Sequence, residues 1–220
     1  QLRHWMKGQK RPTMFPLNLM GGRSTIEYQP LGVIGVISPW NFPVNLTFGP
    51  LAGILAAGNR AMIKPSEFTP ATSEVMAEMV AEAWDEKEVA IFKGGPDIGQ
   101  AFSGLAFDHL LFTGATGVAR HILAAASANL VPVTLELGGK SPVIISRSAD
   151  IEKSVSRIML GKTLNAGQIC LAPDYLMVPE EKLHEVIAAA QKTVGEMYPT
   201  MLNNDEYTSV INERHYARLS

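Results

Sequence analysis

The sequence predicts an α/β chain: a doubly wound parallel sheet with helices on both faces, followed by the first part of a second α/β domain. Three observations predict it. From about residue 24 to residue 140, short apolar, β-branched runs alternate with longer stretches of helix-favouring spacing, as helical crossovers between parallel strands require. Glycine and proline punctuate the joints, at Gly58, Pro65, Gly94-Gly95-Pro96 and Gly138-Gly139. The 220 residues, 46% hydrophobic and 18% charged, suffice for one large domain or one domain and part of another.

The elements follow in order. Residues 32–37 (GVIGVI) read as a strand buried on both faces. Residues 45–57 read as a helix closed by Gly58 just past its end. Residues 60–64 (RAMIK) form a strand stopped by Pro65. Residues 71–84 carry helical spacing through Val75, Met79 and Ala83. A strand at 89–92 precedes a short helix at 97–103, with Asp97 as its expected cap. A strand at 109–112, a helix at 117–127 and a strand at 131–137 complete the first set. After Pro142 come a strand at 142–145, a helix from Asp150 into Leu160, a loop at 165–172, a strand at 176–178 and a long helix at 180–197. Residues 212–220 read as an amphipathic helix. A domain boundary is expected near Ser141, giving domains 1–141 and 142–220. In such sheets ligands sit beyond the carboxyl ends of the strands, which directs attention to the loops at 38–44, 65–69, 93–96, 113–117 and 138–141.

Composition excludes several classes. A net charge of −2 argues against a nucleic-acid-binding surface. No apolar stretch reaches 18 residues, so this segment is expected not to span a bilayer. The single cysteine, Cys170, leaves no internal disulfide or cysteine-built metal centre and fits a reducing, cytoplasmic compartment. The five histidines lack metal-ligand spacing, and no metal site is expected. No internal repeat is visible. The chain opens on Gln1 and its last helix stops at Ser220, which suggests a piece of a longer protein.

Among motifs, Gly138-Gly139-Lys140-Ser141 imitates the tail of a P-loop, but Thr134 stands where the first glycine is needed. Thr113-Gly114-Ala115-Thr116-Gly117, between a strand and a helix, is either a phosphate-binding turn or simply a tight one. Cys170 lies in a polar, glycine-containing segment, Asn165-Ala166-Gly167-Gln168-Ile169-Cys170, unlike a core strand. Glu136 sits near the end of the apolar strand Val133-Thr134-Leu135-Glu136-Leu137, where a carboxylate needs exposure in a cleft or a partner. A thiol nucleophile and a carboxylate base form a plausible acyl-transfer pair; a buried small hydrophobe and a salt-bridged strand end are the bland alternatives.

Several segments together resemble the aldehyde dehydrogenase superfamily, in its class-3 branch: Pro39-Trp40-Asn41-Phe42-Pro43, Lys64-Pro65-Ser66-Glu67, Phe112-Thr113-Gly114 with Thr116, Glu136-Leu137-Gly138-Gly139-Lys140-Ser141-Pro142, and Gly167-Gln168-Ile169-Cys170-Leu171-Ala172-Pro173-Asp174-Tyr175. The resemblance covers nearly the whole chain. It implies a Rossmann-like cofactor domain and the beginning of a catalytic domain. It implies oxidation of an aldehyde, of aromatic, coniferyl type, to the acid through a cysteine thiohemiacetal and thioester. Cys170 matches the nucleophile, Asn41 the oxyanion donor and Glu136 the base. Pro39, Trp40, Lys64, Ser66, Glu67, Gly95, Thr113, Gly114, Ala115, Gly117, Leu137 and Gly138 match positions around the cofactor, which is NAD, with NADP as the alternative. The whole protein is expected to be a homodimer.

Two departures stand out. Ala115 replaces a family serine and removes a hydroxyl from the pyrophosphate region. Ala119 replaces a family glycine and is expected to crowd the helix against the cofactor. Two competing readings remain: a nucleotide-binding module without chemistry, and a thioester-forming reductase of acyl phosphates or acyl-CoA. Glu136 disfavours the second, because a hydrolytic base would waste the thioester.

Overall fold

The computed structural model describes residues 2–220, and they divide into two compact units, one ending at Glu136 and the other Leu137–Ser220. Each is described by itself. The first opens with a short helix, α1 (Leu2–Trp5), and an antiparallel ribbon of β1 (Gln9–Arg11) and β2 (Ser24–Ile26). The sequence reading started the parallel sheet near residue 24; it starts at Val33 instead. The ribbon is almost wholly exposed, so it carries no buried face for apolar periodicity to reveal.

From there β3 (Val33–Ile37), α2 (Pro43–Ala56), β4 (Arg60–Lys64), α3 (Pro70–Ala83), β5 (Val89–Ile91), α4 (Pro96–Ser103), β6 (His109–Gly114), α5 (Thr116–Ser127) and β7 (Val133–Leu137) alternate as expected. The strand order is β5-β4-β3-β6-β7, and β3 runs parallel to both β4 and β6, as β4 does to β5. The chain therefore winds outward from β3 one way, then returns to build the other way. This reversal puts a crevice between the carboxyl ends of β3 and β6, the place where such sheets take ligands.

Local chemistry explains the elements. Ile34, Val36, Leu51, Ala61, Ile63, Val80 and Val89 form a buried core that holds α2 and α3 against the strands. Full burial of a side chain such as Ile63 is worth about 1.5–3 kcal/mol. β3 can enter the centre of the sheet because residue 35 is glycine: a Cβ there would stand 2.7 Å from atoms of both Leu110 and Phe107. α2 ends in a Schellman turn, with Gly58 at φ +82, its N–H donating to the Leu55 carbonyl and the Asn59 N–H to the Ile54 carbonyl.

Two expectations need correction. Val75, Met79 and Ala83 do not form the buried stripe of α3; all three are exposed, and the helix packs through Ser73, Met76 and Val80. Ser73 wins its inward place because its hydroxyl donates to the carbonyls of Ser66 and Thr69. Asp97 is not the cap of α4. Pro96, with its preset φ, begins the helix, Gly95 stands at the cap, and Asp97 falls within the first turn.

In the second unit β8 (Ser141–Ile144) pairs in parallel with β9 (Pro173–Met177). α6 (Ile151–Thr163) connects them and α7 (Leu183–Met197) follows a short 3₁₀ turn, Glu180–Lys182. The core is Ile145, Ile151, Val155 and Val186. Asp150 caps α6 by accepting from the Lys153 N–H, and Asn212 caps α8 (Glu213–Leu219) by accepting from the His215 N–H. α6 runs three residues past Leu160, and a 3₁₀ turn, Leu164–Gly167, replaces the first part of the expected loop.

Candidate active site

The loop leaving β3 is held from below. Ser38, at its start, donates its N–H to the Lys64 carbonyl and accepts at Oγ from the Thr47 hydroxyl at 2.6 Å. Both side chains are buried, so the bond fixes the first loop residue to the second turn of α2. Pro39, Trp40 and Asn41 lie between these anchors, each half-buried. Neither Ser38 nor Thr47 stood out in the sequence. An alcohol pair buried nine residues apart leaves no periodic signal.

At the end of β4 Lys64 is only 4% exposed, and its ammonium meets the Glu67 carboxylate at 2.9 Å. A Cβ on Gly99 would stand 3.7 Å from Lys64 Cε, so the lysine stem runs beneath α4. Partial burial by itself raises the Glu67 carboxyl. The hydrogen bond from Lys64, a backbone hydrogen bond and the Lys64 charge outweigh it and hold the group below the ordinary carboxylate value. Ser66 is buried between them, its Oγ accepting from the Phe68 N–H.

At the end of β6, Thr113 and Gly114 are half-buried, while Ala115 and Gly117 are exposed. A Cβ on Gly114 would come within 2.5 Å of the Phe112 ring, so the turn needs glycine for packing. Ala115 occupies the cap position of α5 and supplies no side-chain acceptor. The first N–H groups of α5 consequently have no side-chain cap from Ala115, and a helix start of this kind can receive an anion. Ala119 is 2% exposed. Its methyl is buried in the unit, unlike the exposed residues 115–117. Gly95 is half-buried at the start of α4.

Glu136, on β7, is exposed. Exposure removes the burial cost that made a carboxylate there look expensive. Asn41, Lys64, Glu67, Thr113 and Glu136 thus all sit at or just beyond the carboxyl ends of β3, β4, β6 and β7. A groove of about 340 Å³ in this unit opens at the opposite, amino end of the strands, lined by Leu31, Ile34, Ile54, His109 and Thr134, and holds none of these residues.

The second unit carries Leu137, half-buried, and Gly138, exposed. It also carries Cys170, whose thiol is exposed. The turn before it is unusual: Asn165 and Ala166 both have φ +53, and Gly167 has φ +73. A side chain at Gly167 would also press on the Lys162 carbonyl at 3.0 Å. Gln168 fastens this turn through its side-chain amide. Among the described residues no cluster of His, Cys, Asp or Glu could hold a metal ion, and no helix is long and apolar enough to cross a membrane.

The model of the aldehyde dehydrogenase family matches residues 2–220. The chain belongs to the aldehyde dehydrogenase family. It is similar to a curated relative of Caulobacter vibrioides named "Probable coniferyl aldehyde dehydrogenase", 62% identical over 99% of this chain and 45% of the relative. Among solved structures it resembles the substrate-bound state of Staphylococcus aureus AldH, with a TM-score of 0.92 and 42% identity over 99% of this chain and 47% of that one. It also resembles a Mycobacterium tuberculosis aldehyde dehydrogenase complexed with NAD+, with a TM-score of 0.84 and 30% identity over 96% of this chain and 44% of that one. The chain spans slightly less than half the length of the curated relatives it matches, 45%, 44% and 46% for three of them.

Proposed function

We propose that the whole protein oxidises an aldehyde to its carboxylic acid with NAD as oxidant, NADP being the alternative, and that Cys170 is the nucleophile. The observation that carries this is an exposed cysteine three residues after a left-handed turn, in a chain of the aldehyde dehydrogenase family. An aromatic, coniferyl-type substrate is supported by the relative that bears that name.

The residues present fit a dinucleotide. The uncapped start of α5 offers N–H groups to the pyrophosphate, and Glu67, oriented by Lys64, offers an acceptor to ribose hydroxyls. Pro39 and Trp40 beside β3, Ser66, Gly95, Thr113, Gly114, Ala115 and Gly117 line the same edge; Leu137 and Gly138 belong to the reading through the family motif. When bound, the nicotinamide would supply the hydride acceptor.

The chain's own groups do the rest. The Cys170 thiolate adds to the aldehyde carbon, and the carbonyl π pair moves to oxygen. The Asn41 amide donates to that oxyanion, a stabilisation typically worth about 10²–10³ in rate. Collapse of the oxyanion expels hydride from carbon and leaves an acyl thioester on Cys170. Glu136 takes a proton from water, the hydroxide displaces Cys170 as its thiolate, the acid departs, and Glu136 returns its proton to solvent. The first unit serves as cofactor domain and the second begins the catalytic domain. The homodimer rests on the family resemblance alone. A cytoplasmic site is supported by the single free thiol.

Cys170→Ala in the full-length protein tests the reading: it abolishes both the first turnover and steady NADH formation, and persisting turnover would overturn it. A nucleotide-binding role without chemistry is the second reading for these 220 residues alone, because they span less than half of the relatives.

A further inference from the structure

The turn before Cys170 has a support that the catalytic reading does not use. Three consecutive residues, Asn165, Ala166 and Gly167, take left-handed backbone angles, and two of them carry side chains. L-residues disfavour this conformation, and it persists only where surroundings over-determine it. Gln168 follows at once. Its amide nitrogen donates to the Asn165 carbonyl at 3.0 Å and to the Ser209 carbonyl at 3.1 Å. Its amide oxygen accepts from the Ile211 N–H at 2.9 Å. Residues 209–211 belong to no helix or strand. The side chain therefore acts toward them as a neighbouring strand would, donating once and accepting once, while its remaining N–H closes back on the turn. In sequence the tie reaches 41 residues to Ser209 and 43 to Ile211. Cys170 lies two residues beyond it.

We propose that Gln168 is a positioning residue for Cys170. By clamping the left-handed turn to residues 209–211 it sets the direction from which the sulfur meets the carbonyl carbon, and so the rate of acyl transfer. The proposal rests on the reading of Cys170 as the nucleophile. An amide suits the clamp because one flat group must donate and accept at the same time. Alanine does neither. Glutamate does both only while protonated; ionised, it cannot donate to Ser209 and repels that carbonyl.

The test uses the full-length protein as wild type, Gln168→Ala, Gln168→Glu and Cys170→Ala. Two rates are measured: the first-turnover burst of NADH, and alkylation of Cys170 by iodoacetamide. Loss of the clamp should slow the burst by about 10- to 100-fold, the range for a reacting group displaced by an ångström. The aldehyde KM should stay within about threefold, and the alkylation rate should change along with the burst. A residue that only stabilised the fold would lower the melting temperature and leave the rates of the folded fraction alone. In Gln168→Glu, the burst relative to wild type should recover as the pH is lowered from about 8 toward about 4.3, where an ordinary glutamate is half protonated. If Gln168→Ala does not fold, the pH dependence of Gln168→Glu decides alone, and a flat ratio overturns the clamp. Wild-type burst and alkylation in Gln168→Ala, with Cys170→Ala inactive, overturn the clamp and leave the nucleophile standing. Turnover in Cys170→Ala overturns both.

Discussion

Gly35→Ala should destabilise the sheet, by an amount that the geometry bounds. The new methyl carbon would stand 2.7 Å from Leu110 Cδ1, 2.7 Å from Phe107 Cε2 and 2.8 Å from Phe107 Cδ2. Comfortable carbon contacts lie at about 3.5–4.0 Å, so each neighbour must retreat by about 0.7–1.3 Å. Leu110 is 0% exposed and Phe107 6%. The Phe107 ring is backed by Phe102, centroid to centroid 5.0 Å, which in turn rests on Phe92 at 6.3 Å. Overpacking of this kind costs about 1–3 kcal/mol. The smaller entropy of an unfolded alanine returns about 0.4–1 kcal/mol, since residue 35 does not need a positive φ. The net is a loss of up to about 2.6 kcal/mol, about 1.3 at the middle of the two ranges, which lowers the melting temperature by about 3–5 °C at that middle value. Thermal unfolding of the full-length protein measures it, and faster amide exchange in the peptide covering β3 localises it. Phe107→Leu in the same chain removes the ring edge and should recover about 0.5 kcal/mol or more of the loss through coupling. A Gly35→Ala protein as stable as wild type, with unaltered exchange in β3, would refute the packing reasoning.

Other outcomes follow from the candidate site. Glu136→Gln should keep a first-turnover burst of NADH while steady turnover falls about 10²-fold or more; unchanged steady turnover would make the carboxylate structural. Glu67→Gln should weaken NAD more than NADP, since the carboxylate that accepts from a 2′-hydroxyl also repels a 2′-phosphate; equal catalytic efficiencies of wild type with both cofactors would contradict the preference. The Glu67 carboxyl is held below its ordinary value, so its contribution to stability is present above about pH 4.3 and disappears as the pH falls through the lower folded value. The stability gap between wild type and Glu67→Gln should therefore narrow in acid, and a gap that is constant from about pH 7 to about pH 3 would contradict this. The 220 residues expressed alone should show negligible aldehyde-dependent NADH formation, measured against the full-length protein at equal concentration.

The sheet was legible because burial on both faces writes itself into short runs such as Val33–Ile37 and Arg60–Lys64. The helix stops were legible for a different reason: Gly58 sits where the backbone turns left-handed. What could not be read was arrangement around exposed or polar groups. The ribbon at Gln9–Arg11 and Ser24–Ile26 has no inward face. The buried face of α3 departs from the apolar spacing because Ser73 is drawn in by carbonyls that only the folded Ser66–Thr69 turn presents. At the site, Cys170, Asn41, Lys64 and Glu67 could be named through family resemblance, and the ion pair at three residues' spacing is local enough to anticipate. The Ser38–Thr47 bond and the Gln168 clamp join residues whose partners are set by tertiary folding, and composition or period carries no trace of them.

The helices that begin at the carboxyl edge of the parallel sheet share a deficiency. α2, α3, α4 and α5 start at Phe42, Thr69, Gly95 and Ala115 without a side-chain cap, whereas Asp150 and Asn212 close α6 and α8. A protein engineer seeking heat resistance would install aspartate or serine at positions 42 and 115, where a cap should add about 0.5–2 kcal/mol, more than the few tenths on offer at Gly95. On the proposed function, the added oxygen at position 115 would occupy the N–H groups that α5 offers to a pyrophosphate, and an aspartate would set a negative charge against it as well. The hardier variant would then be the weaker cofactor binder, so thermal selection and catalytic selection pull this edge of the molecule in opposite directions.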